Sequence, residues 1–321
     1  ESYYGLWRED QPNGHGVFRW FSGDIYMGEW QAGKEQGYGV YEYGEHGSFR
    51  GDVYEGTYFA GLRQGIGVYK YSARGEKPGG VYMGEWMRGY MHGKGVLTYE
   101  DGEFYIGTWK VDHKDGIGVR GFCRRQGFID FNVQVYSWGR LAGENAGDKF
   151  EGKFTKGLAN GHGRTIFNDG SKHQGEYSDG ELHGWGILRA SDGWEFVGKW
   201  VRNELDGEVV RMNSFGFQAQ KIVQIYSKGK LIGTREYDKL GDWEKIESQA
   251  HENAKDGEAY AKLARNIFAT VTATAKKARN TQILAQDAAE EAIYWLREAK
   301  KFRNYIRQWF GIRKYIWPID A

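Results

Sequence analysis

Glycines held in register with aromatic residues constrain this chain more than any other feature. The stretch Tyr26–Tyr43 reads YMGEWQAGKEQGYGVYEY, with Tyr26, Gly28, Trp30, Gly33, Gly37 and Gly39 as its fixed points. The same frame occurs at Tyr3-Gly5-Trp7, Tyr54-Gly56-Tyr58, Tyr82-Gly84-Trp86, Tyr105-Gly107-Trp109, Phe150-Gly152-Phe154, His173-Gly175-Tyr177 and Phe196-Gly198-Trp200. Spacings between the central aromatics are 23, 28, 28, 23, 45, 23 and 23 residues. The 28s add a five-residue loop to one unit, and the 45 reads as two units with a degenerate copy between. A fixed period of this size means a repeat architecture.

Alternate residues of a strand face the same side, so Tyr26, Gly28 and Trp30 share a face, as do Gly37, Gly39, Tyr41 and Tyr43. Gly33-Lys34 marks the turn between them, and each unit is a hairpin. Glycine weakens a strand unless something packs over it, and a neighbouring ring can lie on the bare backbone. Single hairpins are marginal, but stacked ones bury a continuous aromatic strip. The expected fold is mainly β: an elongated, twisted, antiparallel single-sheet ribbon.

The motif Tyr-x-Gly-x-Trp-x-x-Gly-x-x-x-Gly-x-Gly, intact at Tyr26–Gly39 and Tyr82–Gly95, resembles the MORN (membrane occupation and recognition nexus) repeat. The likeness covers the first two thirds of the chain with eight copies. It implies the hairpin ribbon, and it implies architectural roles in ciliary or cytoskeletal assemblies, linker roles in larger complexes, or lipid contact. Some MORN proteins carry a methyltransferase or lipid-kinase domain after the repeats; the stretch here is too short and too helical for either.

The organisation expected is five repeats over 1–120, a degenerate repeat and capping hairpin over 121–149, three repeats and a second capping hairpin over 150–237, and a helical extension over 238–321. Phe128–Ser137 and Phe217–Ser227 read as long strands, and Val133–Gly143 matches Val223–Gly233. Such modified ends protect a sheet edge. The polar loops 44–52 and 72–80 project from the ribbon. Beyond Tyr237 glycine nearly vanishes and alanine rises. Three helices are expected: Asp242–Asn253, Glu258–Ala278 and Thr281–Phe310, with Asp256-Gly257 as an interruption. The apolar stripes are Tyr260, Leu263, Ile267, Val271, Ala275 and Ala278, then Leu284, Ala288, Ala292, Trp295, Ala299, Phe302, Ile306 and Trp309.

Forty-nine glycines against three prolines would suggest a flexible chain were they not in register. A net charge of +1 gives no global field for nucleic acid. The single Cys123 excludes an intramolecular disulfide framework and a multi-cysteine zinc site. No apolar run approaches the ~18–20 residues that span a bilayer. The chain opens at Glu1 rather than methionine, which fits a trimmed chain or a mature form left by import into a mitochondrion or plastid.

The Gly-x-Gly doublets lack the Lys-Ser/Thr and the helix that make a phosphate loop, so they serve as platforms under rings. His15, His92, His162 and His183 recur one per repeat, too far apart for one metal, and read as backbone-bonding residues. No acid–base pair and no nucleophile signature stands out, so catalytic, cofactor and metal residues are none. The C-terminal segment is the functional candidate. From Trp295 onward seven basic residues against Glu298 and Asp320 leave +5, interleaved with aromatics. Such a helix packs on its own ribbon, docks on a partner or lies on an anionic membrane. The residues expected to bind are Trp295, Phe302, Ile306 and Trp309 on the stripe, with Arg303, Arg307, Arg313, Lys314 and Trp317 facing an acidic protein surface or anionic headgroups. The function expected is a non-enzymatic scaffold or linker subunit with protein partners in a large intracellular assembly. The alternative is a peripheral phospholipid-binding module.

Overall fold

The computed structural model describes residues 1–76, 78–122, 147–213, 220–237 and 243–310, with side chains to Lys301 and excepting Gln220. Among the described residues nineteen strands make one open sheet of antiparallel pairs, and one helix follows, α1 (Trp243–Phe310). The chain divides into two compact units, residues 1–95 with 273–321 and residues 96–272.

In the first unit the strands are β1 (Ser2–Arg8), β2 (Gln11–Arg19), β3 (Ile25–Gln31), β4 (Lys34–Glu42), β5 (Val53–Phe59), β6 (Leu62–Tyr71), β7 (Gly80–Met87) and the start of β8 (Tyr90–Tyr99). Each aromatic-glycine frame forms the hairpin that the sequence demands. The Tyr26 ring stands over its own hairpin's Gly28 and Gly39, where any Cβ would strike it. A bulge between Gly28 and Trp30 leaves the Glu29 carbonyl off the ladder, and the Tyr26 hydroxyl donates to it at 3.0 Å. The same bond recurs from Tyr54 to Thr57 (3.1 Å) and from Tyr82 to Glu85 (2.9 Å). The central aromatic instead reaches the preceding hairpin: Trp30 Nε1 donates to the Gly16 carbonyl at 3.1 Å, and Trp86 Nε1 to Gly67 at 3.4 Å. The turn glycine completes this tie, Gly33 N–H donating to Pro12 at 3.0 Å and Gly61 N–H to Glu35 at 2.9 Å. Every hairpin is thus held to its neighbour by a ladder, a ring and a turn.

The two glycines of Gly-x-Gly do different jobs, which corrects the expectation that both are platforms. Gly39 lies under the Tyr26 ring. Gly37 has φ +65° at the bulge, and the Glu29 carboxylate fills the space above it while accepting the Tyr38 N–H at 2.8 Å. Loop 72–76 also differs from a free projection. Arg74 and Ser72 N–H (2.8 Å) both bond the buried Asp52, whose carboxylate further accepts the Tyr69 hydroxyl at 2.7 Å.

On the face away from these rings, Ala285 and Ala289 of α1 pack on Val40, Met27, Tyr38 and Val53. The Glu55 carboxylate, almost fully buried, accepts from Gln282 (2.6 Å), Gln286 (2.8 Å) and Lys70 (2.7 Å). Each carboxylate oxygen has a donor, which makes its burial tolerable.

The second unit holds the end of β8, β9 (Glu103–Lys110), β10 (His113–Phe122), β11 (Lys149–Thr155), β12 (Leu158–Ile166), β13 (Lys172–Ser178), β14 (Glu181–Arg189), β15 (Trp194–Val201), β16 (Glu204–Leu205), β17 (Gly207–Asn213), β18 (Gln220–Ser227) and β19 (Lys230–Glu236). β10 pairs directly with β11, Gly118 opposite Gly152 in the register of the other inter-hairpin ladders. No degenerate copy therefore sits in the sheet between them. The expected strand Phe128–Ser137, the hairpin around Val133–Gly143 and Cys123 lie outside the described residues. The second terminal hairpin is present as β18–β19.

Here α1 again takes the face opposite the rings. Trp243, Ile246, Ala250 and Ala254 pack on Ile187, Val197, Val210 and Val223. Gly257 comes closest to the sheet: a Cβ there would fall 2.5 Å from the Gly163 carbonyl oxygen and 2.8 Å from the Gly175 nitrogen. This overturns the reading of Gly257 as a helix break. Glycine costs a helix about 1 kcal/mol, but here it admits the backbone of the sheet. The three expected helices are one for a related reason. The buried positions Trp243, Ile246, Ala250, Ala254, Gly257, Ala261, Ala264, Val271, Ala275, Ala278, Ala285, Ala289 and Ala292 step by threes and fours, except for two steps of seven that the half-buried Phe268 and Thr281 divide in the same way. Leu263 and Leu284, taken from the sequence as stripe residues, are 46% and 44% exposed. Beyond Trp243 and Ile246, the side chains that meet the sheet are mostly small.

Candidate functional site

Repeat chemistry fills the ring face until two columns of the repeat change. The position two residues past Gly-x-Gly's second glycine is Phe18, Tyr41 and Tyr69 in the first three copies, then Leu97, Arg120, Thr165 and Leu188. The position after the turn carries Glu35, Arg63, Met91 and Lys114, but Ala159 in β12. Long side chains there lie over the rings: Arg63 stands 4.5 Å from the Trp86 ring centroid, and Lys114 5.6 Å from that of Tyr105. Ala159 and Thr165 are too short to do so. The result is an open groove of about 1150 Å³ on the ring face of the second unit.

Its wall is apolar. Tyr177, Leu182 and Trp200 form a buried base, with Phe150, Ala159, Phe167, Leu188, Phe196 and Leu205 half-buried around it. Charged residues stand at its margin, among them Glu103, Arg120, Asp169 and Lys228. Glu103 is paired with Lys114 and Arg120, each at 3.1 Å. Burial pushes its carboxyl up, but the two cations outweigh that and hold it below the usual carboxylate range. An apolar base with a polar margin is the form of a protein-docking surface.

Beneath the groove the repeat's tyrosine is His173, fully buried. Its Nδ1 lies 2.9 Å from the Tyr177 hydroxyl, which lies 2.8 Å from Thr165 Oγ1. A histidine is too short to reach the bulge carbonyl as a tyrosine does, so this network replaces that bond. Nε2 has no partner. Desolvation lowers the imidazole pKa to about 3 and keeps it neutral; the same effect pushes the Tyr177 phenol up.

The opposite face carries charge, but charge used for folding. Glu151, fully buried in β11, faces Lys149 (2.6 Å), Arg164 (2.5 Å) and Arg265 of α1 (2.9 Å). Burial raises its pKa, and the three cations more than reverse this and leave it lowered. Arg164, Arg265 and Gln174 also converge on Glu258. This cluster clamps α1 to the sheet.

The histidines singled out from the sequence are dispersed. His15 faces Glu291 at 3.3 Å, His162 Nε2 meets Asn253 Oδ1 at 2.8 Å and stacks on Tyr260, His92 is half-buried, and His183 is exposed. Among the described residues no three His, Cys, Asp or Glu side chains are grouped to hold a metal ion. Of the expected binding residues, Trp295 is half-buried on α1, its Nε1 buried without a partner, and its ring lies 5.6 Å from that of Tyr294. Phe302, Arg303, Ile306, Arg307 and Trp309 belong to the helix, but their side chains, and all of Arg313, Lys314 and Trp317, lie outside the described residues. No helix among the described residues is long and apolar enough to cross a membrane. The groove itself was missed from the sequence. Its signal is a short side chain in both columns of one copy, Thr165 and Ala159.

Comparison with known proteins agrees with this construction. The family model described as MORN repeat matches residues 3–25, 26–48, 54–74, 82–104, 150–172 and 173–195. No curated protein matches the chain.

Proposed function

This is a MORN-repeat protein, built on a non-catalytic unit commonly involved in protein or membrane interaction, and we propose that it is a non-enzymatic scaffold subunit. One observation carries the reading. In the second unit α1 occupies the face opposite the rings, which leaves the ring face with an open apolar groove at Ala159 and Thr165. An apolar surface of that kind, rimmed by charge, marks an interaction site. The occupant fitting it is a segment of another subunit that places apolar side chains against Phe167, Leu188 and Trp200. A ciliary or cytoskeletal assembly, or an organellar membrane complex, is the setting such a scaffold serves.

The test uses the protein in its source cells. The native chain should migrate in a large particle, and a photo-crosslinking residue at Leu158 should attach to one polypeptide. Phe167→Asp with Leu188→Asp should release the chain while leaving its circular dichroism unchanged. Migration as a free monomer with no crosslink overturns the reading. The +5 tail favours a second reading, contact with anionic lipid. Flotation with anionic vesicles, with and without residues 295–321, separates the two.

A further inference from the structure

Two aspartates of the first unit stand in the same cradle, and the chain supplies an arginine to one of them only. The residue two before the repeat's leading tyrosine is Asp24 ahead of Tyr26 and Asp52 ahead of Tyr54. Each is held in the same way by the second strand of its own hairpin. Asp52 accepts the Tyr69 hydroxyl at 2.7 Å and the Ser72 N–H at 2.8 Å. Asp24 accepts the Tyr41 hydroxyl at 3.1 Å and the Gly44 N–H at 2.7 Å. The backbone agrees, since the Tyr43 N–H donates to the Asp52 carbonyl at 2.9 Å and the Trp20 N–H to that of Asp24 at 3.0 Å. The rings agree as well. Tyr69 lies between Tyr43 and Tyr71, with centroids 6.0 and 4.6 Å away, and Tyr41 lies between Trp20 and Tyr43, at 5.3 and 4.6 Å.

The cradles differ at the third residue past the last tyrosine. Beyond Tyr71 it is Arg74, whose guanidinium bonds the Asp52 carboxylate and donates also to the Ser48 carbonyl (2.6 Å) and the Arg50 carbonyl (3.2 Å). Asp52 is 1% exposed. Beyond Tyr43 it is His46, which is exposed. Among the described residues no cation lies within ion-pair distance of Asp24, which is half-buried and has one neutral donor on each carboxylate oxygen. A carboxylate oxygen accepts two bonds, so each has a lone pair still to offer. Trp20, half-buried, supplies a ring beside it. The guanidinium fork matches a carboxylate and stacks on rings, and an ammonium does neither as well. Arg63 over the Trp86 ring shows that rings of this face take a guanidinium.

We propose that Asp24, with Trp20, Tyr41 and Tyr43, is a binding site for an arginine side chain carried by a segment of a partner protein. Charge complementarity sets the class of occupant, because the chain's own copy of the site is completed by an arginine and by no other cation. A charge-assisted bond to a half-buried carboxylate, beside a tryptophan and two tyrosines, has the composition of an interface anchor. Exposed apolar side chains stand next to it. Phe21 follows Trp20 and is 87% exposed, and Phe49, 5.5 Å from the Tyr43 ring, is 57% exposed. Apolar residues flanking the partner's arginine would cover them. The site is formed by β2, β3, β4 and the loops that join them, and so lies inside the sheet and not at its edge. It is separate from the groove of the second unit, and neither stands or falls with the other.

The test uses the full chain with isotope-labelled tryptophan and, as probe, the peptide acetyl-Ala-Phe-Ala-Arg-Ala-Phe-Ala-amide, beside versions with lysine or citrulline for the arginine. In nuclear magnetic resonance titrations the arginine peptide should shift the Trp20 indole signal and saturate it. The lysine peptide should bind severalfold more weakly. The citrulline peptide, which keeps the shape without the charge, should bind at least about tenfold more weakly. Asp24→Asn, which keeps an acceptor for the Gly44 N–H, should also weaken binding of the arginine peptide at least about tenfold. His46→Arg places in the first cradle the residue found in the second, and should exclude the peptide without lowering the melting temperature. Phe167→Asp with Leu188→Asp should leave this binding unchanged, which judges the site apart from the groove. A Trp20 signal that the arginine peptide does not move overturns the proposal, as does equal binding of the arginine and citrulline peptides, or binding indifferent to both Asp24→Asn and His46→Arg. So does a Trp20 shift produced by Arg313→Ala without peptide, which would make the occupant the chain's own tail.

Discussion

Acid should loosen the second unit in a range where carboxylates are still ionised, and His173 is the reason. Its imidazole is fully buried, and desolvation lowers its pKa from 6.5 to about 3. A depressed base means that the folded state binds fewer protons than the unfolded state between those values. Stability therefore rises with pH across the window and is lost on acidification. The unfolded chain begins to gain its proton near 6.5, and the folded chain resists until near 3. Integrating over that difference, a shift from pH 7 to pH 5 should remove about 2 kcal/mol. His173→Phe, which restores the ring found at Phe150 and Phe196, removes the group. Urea unfolding of both proteins at pH 7 and pH 5, followed by circular dichroism, measures the effect. Exchange of the amides of β12–β14 localises it, since stability in repeat proteins is local. The variant should lose at least 1.5 kcal/mol less than the parent over this interval, by the same linkage estimate. Equal losses in the two proteins would show that His173 is protonated without cost, and hence that it is not sealed beneath the groove.

Trp86→Ala should destabilise the first unit by roughly 3–5 kcal/mol in chemical denaturation, since it deletes a buried ring and uncovers Gly67; a cost under about 1 kcal/mol refutes the ring-on-glycine account. The two glycines of β4 should separate by substitution. At Gly37 asparagine should be better tolerated than valine, because the position needs a left-handed backbone; at Gly39 both should fail alike, because the Tyr26 ring occupies the space. Melting temperatures of the four variants decide this. Gly257→Ala should favour an isolated helix by about 1 kcal/mol yet lower the melting temperature of the protein, and a rise would show that α1 does not approach Gly163 and Gly175 as closely as described.

The β part of the fold was legible because each copy states its own structure twice. Period-two alternation gives the strand, and glycines in register give the ring that must cover them. Eight such statements agree, and a local pattern with one consistent meaning is strong evidence for a fold. What no single copy states is how one position differs between copies. Ala159 and Thr165 look unremarkable in their own hairpin. Only against Arg63 or Tyr41 do they become missing bulk, and the groove lies in that difference.

The helix was misread for a physical reason that reaches the function. Stripe-reading looks for large apolar residues at spacings of three and four, because those usually contribute most burial. A helix lying on a sheet face is limited instead by how near its backbone can come. In this chain the approach is closest at Gly257, and alanine lines the rest of the seam. Close approach lets polar groups at the seam's flanks reach across, as Arg265 does to Glu151 and Gln282 to Glu55. Those buried carboxylates fix where along the strands each turn of α1 sits, since a shift by one turn would strand them without donors. The position of the helix on each unit is therefore specified by charge, while its closeness is specified by small residues. Beyond Trp243, Ile246 and Val271, which are buried, this leaves large side chains outside, so Leu263, Leu284 and Tyr294 are surface features of the protein and not part of its core.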